Sequence, residues 1–121
     1  MLYAVLCYNS EEVVCGWSQA EDDAVMARLD GVHQRLMAAG KFATGARLMP
    51  TTAATTLRKS DGVVLDGPCA ETKEQLLGFY LLDFDDLEDG LYWVRELTVA
   101  NPGGAYELRP LRLHLQGQVT P

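Results

Sequence analysis

Two helical stripes, each set between apolar strand-like segments, constrain this chain more than any other feature of its sequence. Residues 2–8 are continuously apolar until Asn9-Ser10, as a strand buried on both faces should be. After a loop, Ser18-Gln19-Ala20-Glu21 has the S-x-x-E form of a capping box, in which Ser18 and Glu21 satisfy orphan amide donors at a helix start. Val25, Leu29, Val32 and Leu36 then recur at i, i+4, i+7 and i+11, Met26 and Met37 widen the stripe, and Gly40 suits a left-handed stop. Gly31 inside this helix costs about 1 kcal/mol relative to alanine, which the stripe overcomes. The second stripe, Leu87, Leu91, Val94 and Leu97, follows Asp85-Asp86-Leu87-Glu88, acids placed at the positive end of a helix, and stops at Asn101-Pro102-Gly103-Gly104.

Strands fill the intervals. Lys41 to Met49 reads as a strand stopped by Pro50, with a Thr and Ala bend after it. Residues 55–59 and 63–65 flank Ser60-Asp61-Gly62, a hairpin signal because a type I′ turn needs positive φ at both central residues. Asp66-Gly67-Pro68 breaks the chain, residues 69–77 lack strand alternation, and residues 78–84 form the next strand. The last strand spans about 105–113 and contains Tyr106, Leu108, Leu111 and Leu113; Pro110 assigns it to an edge or a bulge. The order is β-α-β, a hairpin, then β-α-β, which is the α+β class: a ferredoxin-like split βαβ with an inserted hairpin. Two helices cover one sheet face only, so the other face is either wet or buried against a second copy, and its apolar strand positions make a homodimer the economical expectation.

At 121 residues the chain is sized for one domain, residues 1–121. Its formal charge is −7, and residues 61–121 carry 11 acids against 4 bases, so no face suits phosphate and no nucleic-acid partner is expected. No apolar run reaches the roughly 20 residues that cross a bilayer, and the N-terminus lacks a basic n-region, so neither a membrane nor a secretory leader is expected. Three cysteines, Cys7, Cys15 and Cys69, are an odd number without C-x-x-C, which favours free thiols and a reducing, cytoplasmic location. No metal is expected, since no histidine sits at ligand spacing and the five acids of residues 83–89 are explained by a strand end and a helix start. The Ser/His/Asp order, G-x-G-x-x-G, the Walker loop and H-E-x-x-H are missing, so no cofactor is expected.

Residues 66–83 read Asp-Gly-Pro-Cys-Ala-Glu-Thr-Lys-Glu-Gln-Leu-Leu-Gly-Phe-Tyr-Leu-Leu-Asp. This closely resembles the signature of the DGPF group of YCII-related proteins, and Ala38-Ala39-Gly40, Ala54 to Arg58 and Glu107 to Pro110 fall where that family has similar fragments. The chain departs from the pattern at Cys69, where phenylalanine is usual, and at Leu77, where glycine is usual; the first should alter a pocket lining. The resemblance implies a dimeric α+β barrel. It also implies kinship with muconolactone-type isomerases and with a dehalogenating enzyme acting on a chlorinated lactone, while other members accompany extracytoplasmic-function sigma factors.

The motif supplies the candidate residues. As a plain turn, Asp66, Gly67 and Pro68 provide an Asx acceptor, tolerance of positive φ and a fixed φ. As a site, the turn would set Asp66 beside Glu71, Thr72, Lys73 and Glu74, a carboxylate and an ammonium able to exchange a proton α to a carbonyl. His33, bordered by Leu29, Leu36 and Met37, is either a hydrogen-bonded structural histidine or a catalytic base; the family's helix-one histidine would fall about a turn earlier, near Leu29. Cys69 has no visible activating partner and reads as inert, and His114 as exposed.

Two functions remain open. One is a cofactor-free enzyme for proton transfer or elimination on a lactone-like or carbonyl substrate, with Asp66 or His33 as base, Lys73 or Arg58 steadying the anion, and Arg58, Glu71, Thr72, Cys69 and Tyr80 binding substrate. The other is a non-catalytic dimeric module for a small ligand or a protein such as a sigma factor. Gathering of Asp66, Lys73 and His33 in one pocket favours the first; their dispersal favours the second.

Overall fold

The computed structural model describes residues 1–119. Strand β1 (Leu2–Asn9) leads through a short helix α1 (Glu11–Cys15) to helix α2 (Gln19–Ala38) and strand β2 (Phe42–Arg47). The hairpin β3 (Thr55–Leu57) and β4 (Val64–Asp66) follows, then β5 (Gln75–Asp83), α3 (Leu87–Ala100) and β6 (Ala105–Pro110). Four strands form one antiparallel sheet in the order β2-β5-β1-β6, and β3-β4 pair separately. This is the expected mixed α+β arrangement, with the hairpin between its two β-α-β halves.

Local chemistry sets the ends of the elements. Ser18 Oγ accepts the Glu21 amide at 3.1 Å, the expected cap of α2. At the other end the Gly40 amide donates to Met37 and the Lys41 amide to Leu36, closing the helix on Gly40 at φ 71°. Asp86 caps α3 by accepting the Asp89 amide at 2.8 Å, and Asp89 pairs with Lys41 at 2.7 Å, so the acidic run has the helix-start role expected of it. Pro110 ends edge strand β6 earlier than the sequence suggested.

Four expectations need correction. The segment after β1 is not a plain loop but helix α1, whose first amide donates to Gln75 Oε1. Strand β5 starts at Gln75 rather than residue 78, because Leu77 already accepts the Leu48 amide at 2.9 Å. The hairpin turn is not type I′: only Gly62 has positive φ, and the loop closes through Gly62 donating to Arg58 and Arg58 to Val63. The α3 stripe is also displaced. Gly90, Val94, Leu97 and Ala100 are its buried positions, while Leu87, in the first turn, is 52% exposed.

The core lies between the sheet and α2 with α3. Alternate strand residues Tyr3, Val5, Tyr80 and Leu82 meet Val25, Leu29, Val32 and Leu36 from α2 and Val94 and Leu97 from α3. Fully buried Val5, Leu36, Leu82, Phe84 and Leu97 each contribute about 1.5–3 kcal/mol relative to exposure. Arg35 bridges α2 to Glu96 of α3 at 2.9 Å, and Arg28 donates to the Ala100 carbonyl. The opposite sheet face presents Leu6 against Phe79 and Ala4 against Leu81, with no element over it among the described residues.

Candidate functional site

Between α2 and the sheet, beside Gly78, lies a cavity of about 280 Å³. Val25 and Leu29 of α2 line it together with Phe42, Leu77, Gly78, Cys7, Trp17 and Tyr106. The register shift in β1–β5 after Cys7 falls at this end of the sheet, opposite Gly78 and Leu76, where such a bulge turns side chains out of strict alternation.

Inside it, His33 Nε2 of α2 lies 2.7 Å from the Tyr80 hydroxyl of β5. The imidazole is held in place by rings: its centroid is 5.3 Å from that of Tyr80 and 5.6 Å from that of Phe42. Burial holds the His33 pKa below the ordinary histidine value, opposed by the nearby Asp30 carboxylate. The ring is therefore neutral at pH 7. Burial also raises the Tyr80 pKa, with Tyr106 and Cys7 adding to the effect, so the phenol stays protonated. The Cys7 thiol is pushed up to about 12 by burial and is no nucleophile. Tyr106 is likewise pushed up to about 12 by burial, with the adjacent Asn101 side chain acting against the rise.

Arg47 is the one permanent charge among the described residues of the lining, and it is engaged: its guanidinium meets Asp22 of α2 at 2.7 and 3.3 Å. The cavity thus offers apolar walls and neutral polar groups. A second groove is lined by Glu11, Cys15, Met49 and Pro50 and shares Val14, Arg47 and Leu77 with the first. Among the described residues no group of three His, Cys, Asp or Glu side chains is placed to hold a metal ion.

The sequence-derived candidates divide between two places. His33 and Tyr80 line the cavity. Asp66 ends β4, Arg58 is tied to Asp61 at 3.0 Å in the hairpin loop, and Cys69, Glu71, Thr72 and Lys73 lie in the exposed loop before β5. None of these six lines the cavity, so Asp66, Lys73 and His33 do not gather in one pocket within one chain, and on that criterion their dispersal favours the non-catalytic module. The physical reason is that β3 and β4 pair only with each other, so the loop leaving them approaches the sheet only at Gln75. Arg58 pairs with Asp61 within its own turn. Of the two departures from the motif, Leu77 touches the cavity and Cys69 does not, which reverses the expectation about the pocket lining.

Trp17, Arg47, Asn101 and Tyr106 were not singled out by the sequence. A signal existed for Tyr106: it pairs with Cys7 in register, so the polar heads of Cys7, Tyr80 and Tyr106 point to the helix side at one end of the sheet. Asn101 was read only as part of a helix stop.

A family model described as the YCII-related domain matches residues 1–113 of the chain. An uncharacterised protein of Rhizobium meliloti (strain 1021), R00369, is 55% identical over 122 residues, an alignment that spans 98% of each chain.

Proposed function

The chain belongs to the YCII-related family, and from its cavity we propose that it is a cofactor-free enzyme of proton transfer acting on a small uncharged carbonyl or lactone-like compound. The observation that carries this reading is the His33–Tyr80 pair, 2.7 Å apart in a mostly apolar cavity. Such a setting suits a substrate without net charge, because no unpaired ion among the described residues faces it.

The pair supplies a relay. The Tyr80 hydroxyl donates to His33 Nε2; as the phenol oxygen takes a proton from the carbon α to the carbonyl, its own proton passes to Nε2. The C–H electron pair becomes the enolate double bond, and the carbonyl pair moves onto oxygen. The imidazolium that forms is the counter-charge to the enolate. Return of the proton at another carbon isomerises the substrate, and expulsion of a β leaving group completes an elimination. His33, not Asp66, is the base in this scheme.

The order β2-β5-β1-β6 supports the ferredoxin-like split βαβ reading, and the apolar open face supports a homodimer joined as an α+β barrel. One observation favours a second reading, a non-catalytic module for a ligand or for a protein such as an extracytoplasmic-function sigma factor. The charged motif residues Asp66, Glu71, Lys73 and Glu74 are all exposed and stand apart from the cavity. The two readings separate on exchange of the α-hydrogens of cyclohexanone and γ-butyrolactone in D2O, followed by proton NMR. Saturable protein-catalysed exchange supports the enzyme; binding without exchange supports the module.

A further inference from the structure

Strand β2 carries a glycine directly opposite Tyr80: Gly45 is its partner in the β2–β5 register. Inside a strand a glycine gives up packing and costs chain entropy, and it fits where other atoms come too close for a side chain. Here those atoms are two rings of the site. A Cβ added at Gly45 would lie 2.8 Å from Cζ of Phe42 and 3.3 and 3.4 Å from Cδ1 and Cε1 of Tyr80. In a regular strand Phe42 and Gly45, at i and i+3, would take opposite faces. The register shift between Phe42 and Thr44 removes that separation: Phe42 pairs with Leu82 and Thr44 with the adjacent Leu81, so β2 takes up one extra residue. Phe42 and Gly45 therefore share the helix side of the sheet with their buried partners Leu82 and Tyr80. The Phe42 ring, seated against the bare Gly45 backbone, has its centroid 6.1 Å from that of Tyr80 and 5.6 Å from that of His33.

From this seat we infer that Gly45 is a positioning residue: by carrying no side chain it lets the Phe42 ring settle beside Tyr80, and that ring holds the Tyr80 hydroxyl on His33 Nε2. The placement stands on geometry, and its use in proton transfer rests on the reading above. Gly45 supplies neither proton nor charge and acts through Phe42. Its effect on rate is nonetheless large, since displacing reacting groups by about 1 Å can cost about 10²-fold.

The test uses the full-length wild type, Gly45→Ala, Phe42→Leu and the double variant. Two quantities are measured: nuclear Overhauser cross-peaks between the ring protons of His33 and Tyr80 without ligand, and the saturated rate of α-hydrogen exchange of cyclohexanone in D2O. The atom that alanine would strike first is the far end of a ring that can swing. Gly45→Ala should therefore fold, lose the His33–Tyr80 cross-peaks and lose about 10²-fold in the exchange rate. Phe42→Leu removes the obstructing Cζ, and adding Gly45→Ala to it should change either quantity by no more than about twofold. Cross-peaks that persist in Gly45→Ala, or that fall equally on adding Gly45→Ala in both backgrounds, overturn the inference. If Gly45→Ala folds only together with Phe42→Leu, the same coupling supports it; if it unfolds in both backgrounds, the glycine serves the strand and the inference is overturned. A wild type that shows the cross-peaks and catalyses no exchange overturns the proton-transfer reading, while the cross-peaks of the variants still decide what Gly45 places.

Discussion

His33 and Tyr80 are 47 residues apart in sequence and 2.7 Å apart across the gap between α2 and β5. Neither side chain would be placed there by its own element alone. The helix brings an imidazole to the border of its buried stripe, the strand points a phenol at the same level, and Phe42 fixes the ring between them.

That contact predicts a pH dependence. Because burial lowers the His33 pKa in the folded chain, the unfolded chain binds the proton more readily below about pH 6.5. Stability should therefore fall as pH drops through that value and level off only below the folded pKa. Denaturant midpoints measured from pH 7.5 to 5 should show this loss, and His33→Gln should flatten the part of the profile that histidine supplies.

The open sheet face predicts a dimer. Leu6 and Phe79 face each other at its centre, and Phe79→Glu should place an uncompensated charge in the interface. Light scattering at micromolar concentration should give a dimer for the wild type and a folded monomer for the variant; a monomeric wild type rejects the proposal.

The three cysteines should differ in reactivity. Cys15 and Cys69 are exposed, whereas Cys7 is partly buried with its thiol pKa pushed up to about 12. A thiol reagent at pH 8 should label two sites quickly in the folded chain and a third only after denaturation, with three thiols per chain in all.

Gly31 should be replaceable at a gain. A Cβ added there meets nothing within 4 Å, and alanine is favoured over glycine in a helix interior by about 1 kcal/mol. Gly31→Ala should raise the stability measured by chemical denaturation by about that amount. An unchanged or lower value means that the helix surface there is covered in solution.

The elements were legible where period and punctuation agreed. The Ser18 cap, the Val25 to Leu36 stripe and the stop at Gly40 could all be read directly, because each depends on residues close in sequence. The start of β5 could not, since residues 75–77 enter the sheet through Leu48 and Glu11, partners far away in the chain. The site divided on the same line. His33 and Tyr80 were named from the sequence, but the motif's density of charge drew Asp66 and Lys73 in with them, and only the separate pairing of β3 with β4 shows that these lie elsewhere. Gly45 was hidden because the rings that meet it come together through a register shift and a partner strand, which leave no trace in spacing.

The central claim is that the cavity pair, and not the charged loop, moves the proton. Exchange of the α-hydrogens of cyclohexanone in D2O at pH 7.5 tests it directly when measured for the wild type, Tyr80→Phe, His33→Gln and the double variant Asp66→Asn/Lys73→Ala. The account predicts saturable exchange by the wild type, a loss of about 10²- to 10⁴-fold in each cavity variant, and a loop variant within about twofold of the wild type. Exchange that survives His33→Gln and Tyr80→Phe, or that disappears in the loop variant, contradicts it.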